Sequence, residues 1–154
     1  MSADCEICRR IERIATDNPY FVAELETGYA VLADNQYVRG YALFISKTCV
    51  PELHELAPER RSRFLDEMAT VAEAMFRAFA PRKLNYELLG NSVPHLHWHL
   101  IPRYDDDAKP TWPIWSNEDF LRAPRVTPVE AAVLAERRQR LGDALSSLRA
   151  PAGR

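Results

Sequence analysis

The longest helical periodicity lies between residues 58 and 79, where Phe64, Leu65, Met68, Val71, Ala72, Met75, Phe76 and Phe79 recur at i, i+3, i+4 and i+7. That spacing lines one face of an α-helix. Pro58 suits the first helical position, where its missing N–H is no loss, and Pro81 stops the run. Shorter apolar stretches over residues 20–25, 29–32, 40–46, 84–89 and 96–101 read as strands, divided by the turn Glu26-Thr27-Gly28 and by the loop Gly90-Asn91-Ser92-Val93-Pro94. A short helix is expected over residues 5–15. A last helix is expected from Thr127, because Thr127-Pro128-Val129-Glu130 has the form of a capping box, and Val133, Leu134, Leu141, Leu145 and Leu148 follow it. Three strands, a long helix and two further strands predict an antiparallel sheet of about five strands packed against one long helix, with a C-terminal helix added. The fold class is α+β.

The 154 residues suit one domain, with residues 1–104 as its core and residues 105–154 as a C-terminal loop and helix extension. A net charge of −2 supplies no basic field for nucleic acid or a membrane surface, so neither is expected as a partner. The start of the chain lacks the cationic and apolar segments of a signal peptide, and no stretch is long enough to cross a bilayer, which points to the cytoplasm. Residues 105–127 are polar and proline-rich and read as a wrapping loop, with Asp105-Asp106-Asp107 as a solvated tip. Trp98 is assigned to the core, and Trp112 and Trp115 to packing. Three cysteines include the pair Cys5-x-x-Cys8, a spacing that in a reducing compartment suggests metal binding or redox chemistry.

Chemistry concentrates elsewhere. Three of the four histidines fall in His95-Leu96-His97-Trp98-His99. In a strand, positions i, i+2 and i+4 share a face, so three imidazoles line one side while Leu96, Trp98 and Leu100 turn to the core. Imidazole exchanges protons near neutral pH and is also a competent nucleophile and metal ligand. The residues alone therefore leave open a nucleophilic site, a metallohydrolase and a packed histidine-rich surface.

The segment from Asn85 to Arg103 resembles the signature of the histidine-triad family, three histidines alternating with apolar residues after a Gly-Gln/Asn-Ser-like loop. Gly40-Tyr41-Ala42-Leu43-Phe44-Ile45-Ser46-Lys47 resembles the family's Gly-His-x-Leu-x-x-Pro-Lys strand. The likeness spans about residues 5–104. It implies a HIT-like fold and a homodimer. It implies hydrolysis or transfer at the α-phosphate of dinucleoside polyphosphates or nucleoside phosphoramidates, through a nucleotidyl-histidine intermediate and with no cofactor for the chemistry. Residue by residue, His97 matches the nucleophile, His99 the histidine that holds phosphate oxygens and His95 the supporting first histidine. Asn91 and Ser92 match loop positions on the phosphate or leaving group, Asn85 an upstream asparagine near the same phosphate, and Asp34 or Asn35 the ribose contact. Base selectivity is expected from apolar side chains between residues 7 and 34. Within the family the chain resembles the diadenosine polyphosphate hydrolase-like branch. A nucleotide-binding regulatory protein with weak turnover and a metal-dependent hydrolase are the alternatives.

One departure concerns metal. Cys49 stands where many relatives carry a histidine that joins the cysteine pair and the first triad histidine around structural zinc. The resemblance thus implies a zinc set of Cys5, Cys8, Cys49 and His95, with His54 as the alternative fourth ligand.

Overall fold

The computed structural model describes residues 5–14, 18–127 and 129–150. Ala15, at the end of the first expected helix, and Pro128, inside the expected capping box, fall outside them. The elements run α1 (Glu6–Glu12), β1 (Phe21–Glu24), β2 (Gly28–Leu32), β3 (Ala42–Ser46), α2 (Pro58–Phe79), β4 (Lys83–Glu87), β5 (His97–Arg103), α3 (Glu118–Arg122) and α4 (Ala131–Arg149). The five strands form one antiparallel sheet in the order β1-β2-β3-β5-β4. The α+β architecture read from the sequence is the one observed.

Helices cover the two faces of the sheet unequally. Ala30, Leu32, Ala42, Phe44 and Leu100 join Phe64, Val71, Ala72 and Met75 of α2 and Leu134, Leu141 and Leu145 of α4 in the main core. Phe44 and Phe64 stack there at 4.9 Å between ring centroids. Removing either ring would cost about 3–5 kcal/mol. Phe76 departs from the expected stripe and is 50% exposed, while Ala74 and Ala78 are buried in its place. On the opposite face Val31 and Ile45 meet Ile7, Ile11 and Ile14 in a smaller cluster, which seats α1 against the sheet. The β3–β5 register pairs Ile45 with His97 and Leu43 with His99, so these histidines share α1's face.

Three segments differ from their expected form. β5 begins at His97 rather than Leu96: Ser46 N–H still donates to Leu96 O at 3.0 Å, but Leu96 N–H turns to Val50 O at 2.8 Å, and His95 sits at a bend before the strand, beside Cys5 and Cys8 on the α1 side. α4 begins at Ala131 with Glu130 at its N-cap and no side-chain cap bond, three residues past Thr127, whose hydroxyl donates to Asn35 Oδ1 and Pro124 O. Asp107 is not a solvated tip. Its carboxylate meets the buried guanidinium of Arg103, which also donates to Trp112 O and Lys109 O and holds the segment after β5 against the sheet. That segment returns to the β2 side through a parallel bridge between Thr127 and Asn35.

Candidate functional site

β5 sets His97 and His99 side by side, with Nε2 atoms 3.1 Å apart and ring centroids at 4.8 Å. His97 Nδ1 lies 2.5 Å from His95 O, and His99 Nδ1 lies 2.5 Å from the Tyr41 hydroxyl. Burial pushes both imidazoles toward the neutral form: His97 falls below its ordinary value, and His99 falls to about 4, aided by the neighbouring His97. Two neutral rings at the end of a strand can present one bare nitrogen and one N–H to the same atom.

His95 serves another centre. It is fully buried, and its Nε2–H donates to Ser46 O at 2.8 Å, which leaves Nδ1 as the bare nitrogen. Burial lowers its basicity too. Nδ1 lies 3.4 Å from Cys5 Sγ and 3.7 Å from Cys8 Sγ. With Cys49 Sγ these donors all fall within 4.8 Å of one another. Bond lengths of about 2.0–2.3 Å around zinc give tetrahedral edges of roughly 3.5–3.8 Å, so the spacing suits one ion. The Ser46 carbonyl fixes the ligating tautomer from behind, as outer partners of metal-bound imidazoles do. Burial raises the Cys5 thiol, but hydrogen bonds from Cys8, Ile7 and Cys49 outweigh it and leave the thiol more acidic than usual. The cluster contains Cys49; His54 sits exposed in the 3₁₀ turn Leu53–Glu55, outside it.

The other expected residues spread around this face. Asn91 and Ser92 are exposed in the loop before His95, and Ser92 borders an open cleft of about 440 Å³ together with Cys5, Cys49 and Arg9. Asp34 borders a cavity of about 330 Å³ with Tyr20 and Val126, and it is held there by Arg10. Asn35 Oδ1 accepts from Tyr37 N–H and from the Thr127 hydroxyl. Asn85 lies opposite Ile101, one strand repeat beyond the triad, and its buried Oδ1 has no hydrogen-bond partner among the described residues. Glu87 is the β4 residue opposite His99, and Trp115 Nε1–H donates to its carboxylate at 2.9 Å. Trp98 is half-buried on the main core, while Trp112 is 63% exposed.

Sequence reasoning passed over Tyr41, Glu87 and Arg10. The signal for Tyr41 was its place after Gly40, where the resembled strand carries Gly-His. Glu87 needed the β4–β5 register and Arg10 needed the docking of α1, neither of which is local in sequence.

The sequence matches the HIT domain family over residues 17–106. It is 34% identical over 105 residues to Protein hit of Bacillus subtilis strain 168, covering 64% of this chain and 72% of that protein. It is 30% identical over 117 residues to adenosine 5'-monophosphoramidase HNT1 of Saccharomyces cerevisiae, covering 70% of this chain and 68% of that protein. Among solved structures, a histidine triad protein from Marinobacter aquaeolei VT8 superposes with a TM-score of 0.70 at 27% identity, covering 89% of this chain and 95% of that one.

Proposed function

This chain belongs to the HIT domain family, and on that premise we propose that it is a nucleotide hydrolase or transferase working through a nucleotidyl-histidine at His97. The observation that carries the reading is the pairing of His97 and His99. The carbonyl of His95 can only accept, so His97 Nδ1–H donates to it and Nε2 keeps a lone pair beside His99. That lone pair attacks the α-phosphorus, forming a P–N bond while the bond to the leaving group breaks. Water or another acceptor then attacks the same phosphorus and releases His97. Charge on the phosphoryl oxygens falls to His99, Ser92, Asn91 and nearby backbone amides. Asp34 and Asn35 take the ribose hydroxyls, and Asn85 contributes a polar contact further along β4.

Dinucleoside polyphosphates and nucleoside phosphoramidates are the substrate classes. The relationship to an adenosine 5'-monophosphoramidase favours the second. Cys5, Cys8, Cys49 and His95 would hold a structural zinc, which when bound ties α1 to the triad loop. Four protein donors make a closed set with no place for a reacting water, which argues against a metal-dependent hydrolase. The chain works as a homodimer in the cytoplasm; β4 is one of the two edge strands of the sheet, with Tyr86 exposed on it.

Rapid-quench labelling with substrate carrying labelled α-phosphorus tests the chemistry. The label should appear on a peptide containing residues 95–99, as an acid-labile, base-stable adduct. His97→Asn should keep the fold and lose about three or more orders of magnitude in rate. An unlabelled wild type together with an active His97→Asn variant would overturn the covalent route.

A further inference from the structure

We propose that Tyr41 is a positioning residue: its phenol donates to His99 Nδ1 and fixes the tautomer in which His99 offers an N–H at Nε2 beside His97. Only its kinetic test rests on the function proposed above.

The direction of every hydrogen bond in this chain of groups follows from its far end. His95 O is a carbonyl and can only accept, so the proton of neutral His97 sits on Nδ1, 2.5 Å away. His97 Nε2 is then bare. His99 Nε2 stands 3.1 Å from it, and two bare nitrogens at that separation repel, so His99 Nε2 carries the hydrogen and donates. A neutral imidazole has one N–H, so His99 Nδ1 is bare and needs a donor. The Tyr41 hydroxyl, 2.5 Å from it, is that donor. Tyr41 is 6% exposed and ends the turn that leads into β3, where Gln36 Nε2–H donates to its carbonyl at 2.8 Å. Both ends of the residue are therefore fixed, and the phenol cannot swing away to water.

The consequence concerns substrate. When a phosphoryl group enters between the rings, the Nε2–H of His99 passes from His97 Nε2 to a phosphoryl oxygen, which frees the His97 lone pair for attack. An imidazole in the other tautomer would face the phosphoryl oxygens with a second lone pair. Tyr41 thus supports the transition state without touching it, and its loss should lower kcat rather than raise KM.

The test is Tyr41→Phe, which keeps the ring and removes the donor, studied by long-range ¹H–¹⁵N spectroscopy of the histidines and by steady-state kinetics. In the wild type His99 should show a bare Nδ1 and a protonated Nε2. In Tyr41→Phe those signals should shift toward a mixture of tautomers, with kcat down about ten- to a hundredfold and KM within threefold. Unmoved His99 signals in the variant overturn the proposal whether or not the rate falls, since a loss would then come through packing. A protonated Nδ1 in the wild type overturns it even if the variant fails to fold. Were the nucleotidyl-histidine reading itself wrong, His97→Asn would remain active while the tautomer result for Tyr41 stood on its own.

Discussion

Arg10 grips Asp34 with two hydrogen bonds of 2.8 Å, fastening α1 to the loop after β2 at the mouth of a cavity. The fork-to-carboxylate geometry spends one lone pair on each oxygen and leaves the others for donors such as ribose hydroxyls. It also offsets a negative charge that an anionic substrate would otherwise meet, and the pairing raises the basicity of Arg10 in return. Arg10→Ala is therefore expected to raise KM for a nucleotide about three- to tenfold with kcat within twofold. Asp34→Ala should do the same, and the double variant should add little to either. Additive effects in this cycle would mean that the two side chains act separately.

The same helix carries Cys5 and Cys8, so metal and substrate sites share one element. Protein purified gently from a reducing compartment should contain about one zinc per chain. Cys49→Ser should lower that content and the melting midpoint, whereas His54→Ala should change neither. Stripping the metal should loosen α1 and raise KM through the lost Arg10–Asp34 grip more than it lowers kcat. Metal analysis alongside kinetics checks both halves, and full zinc retained in Cys49→Ser would contradict the ligand set.

The depressed basicity of His99, about 4 in place of 6.5, has a signed effect on stability. Between these values the unfolded chain binds a proton that the folded chain does not, so stability rises with pH. The contribution is whole above about 6.5 and is lost as pH falls through about 4. Urea unfolding at several pH values should show this slope, and His99→Asn should flatten it by up to one proton. Equal slopes in the two proteins would contradict the shift. Turnover should likewise fall off at a lower pH than a free imidazole would impose, since burial lowers the basicity of both His97 and His99.

Local pattern revealed the elements that local chemistry builds. The i, i+3, i+4 recurrence placed α2 at Pro58–Phe79, and period-two alternation put His97 and His99 on one face. The alternation did not show that His95 would serve Cys5 and Cys8 rather than its two neighbours, because that contact depends on where α1, far away in the chain, docks. Tyr41 read as one more aromatic in an apolar strand; only its contact with His99 gives it a role. Phe76 satisfied the helical period but is half exposed, while Ala74 and Ala78 are buried, so the covered face of α2 is turned from the expected stripe toward small residues. The capping box at Thr127 misplaced the helix start, which falls at Ala131, while Thr127 is drawn to Asn35 by a non-local bridge and hydrogen bond.

Three consecutive aspartates that look alike in sequence should differ sharply when removed. Asp107 is paired at 2.7 Å with Arg103, whose side chain is 1% exposed against 15% for Asp107. Asp105 pairs with Arg82 from a side chain that is 82% exposed. Cutting one partner from a buried ion pair leaves an uncompensated charge, at a cost of about 3–5 kcal/mol, whereas an exposed pair contributes little after solvent screening. Asp107→Ala should therefore lower the melting midpoint by roughly 6–20 °C for a chain of this size, and Asp105→Ala by no more than about 2 °C. The buried guanidinium also holds the carbonyls of Trp112 and Lys109, so its loss of anchorage should free the segment that carries Trp115 to Glu87. A red-shifted tryptophan emission in folded Asp107→Ala, absent in Asp105→Ala, is the expected sign of that release. Equal midpoints in the two variants would mean that Arg103 finds its compensation elsewhere.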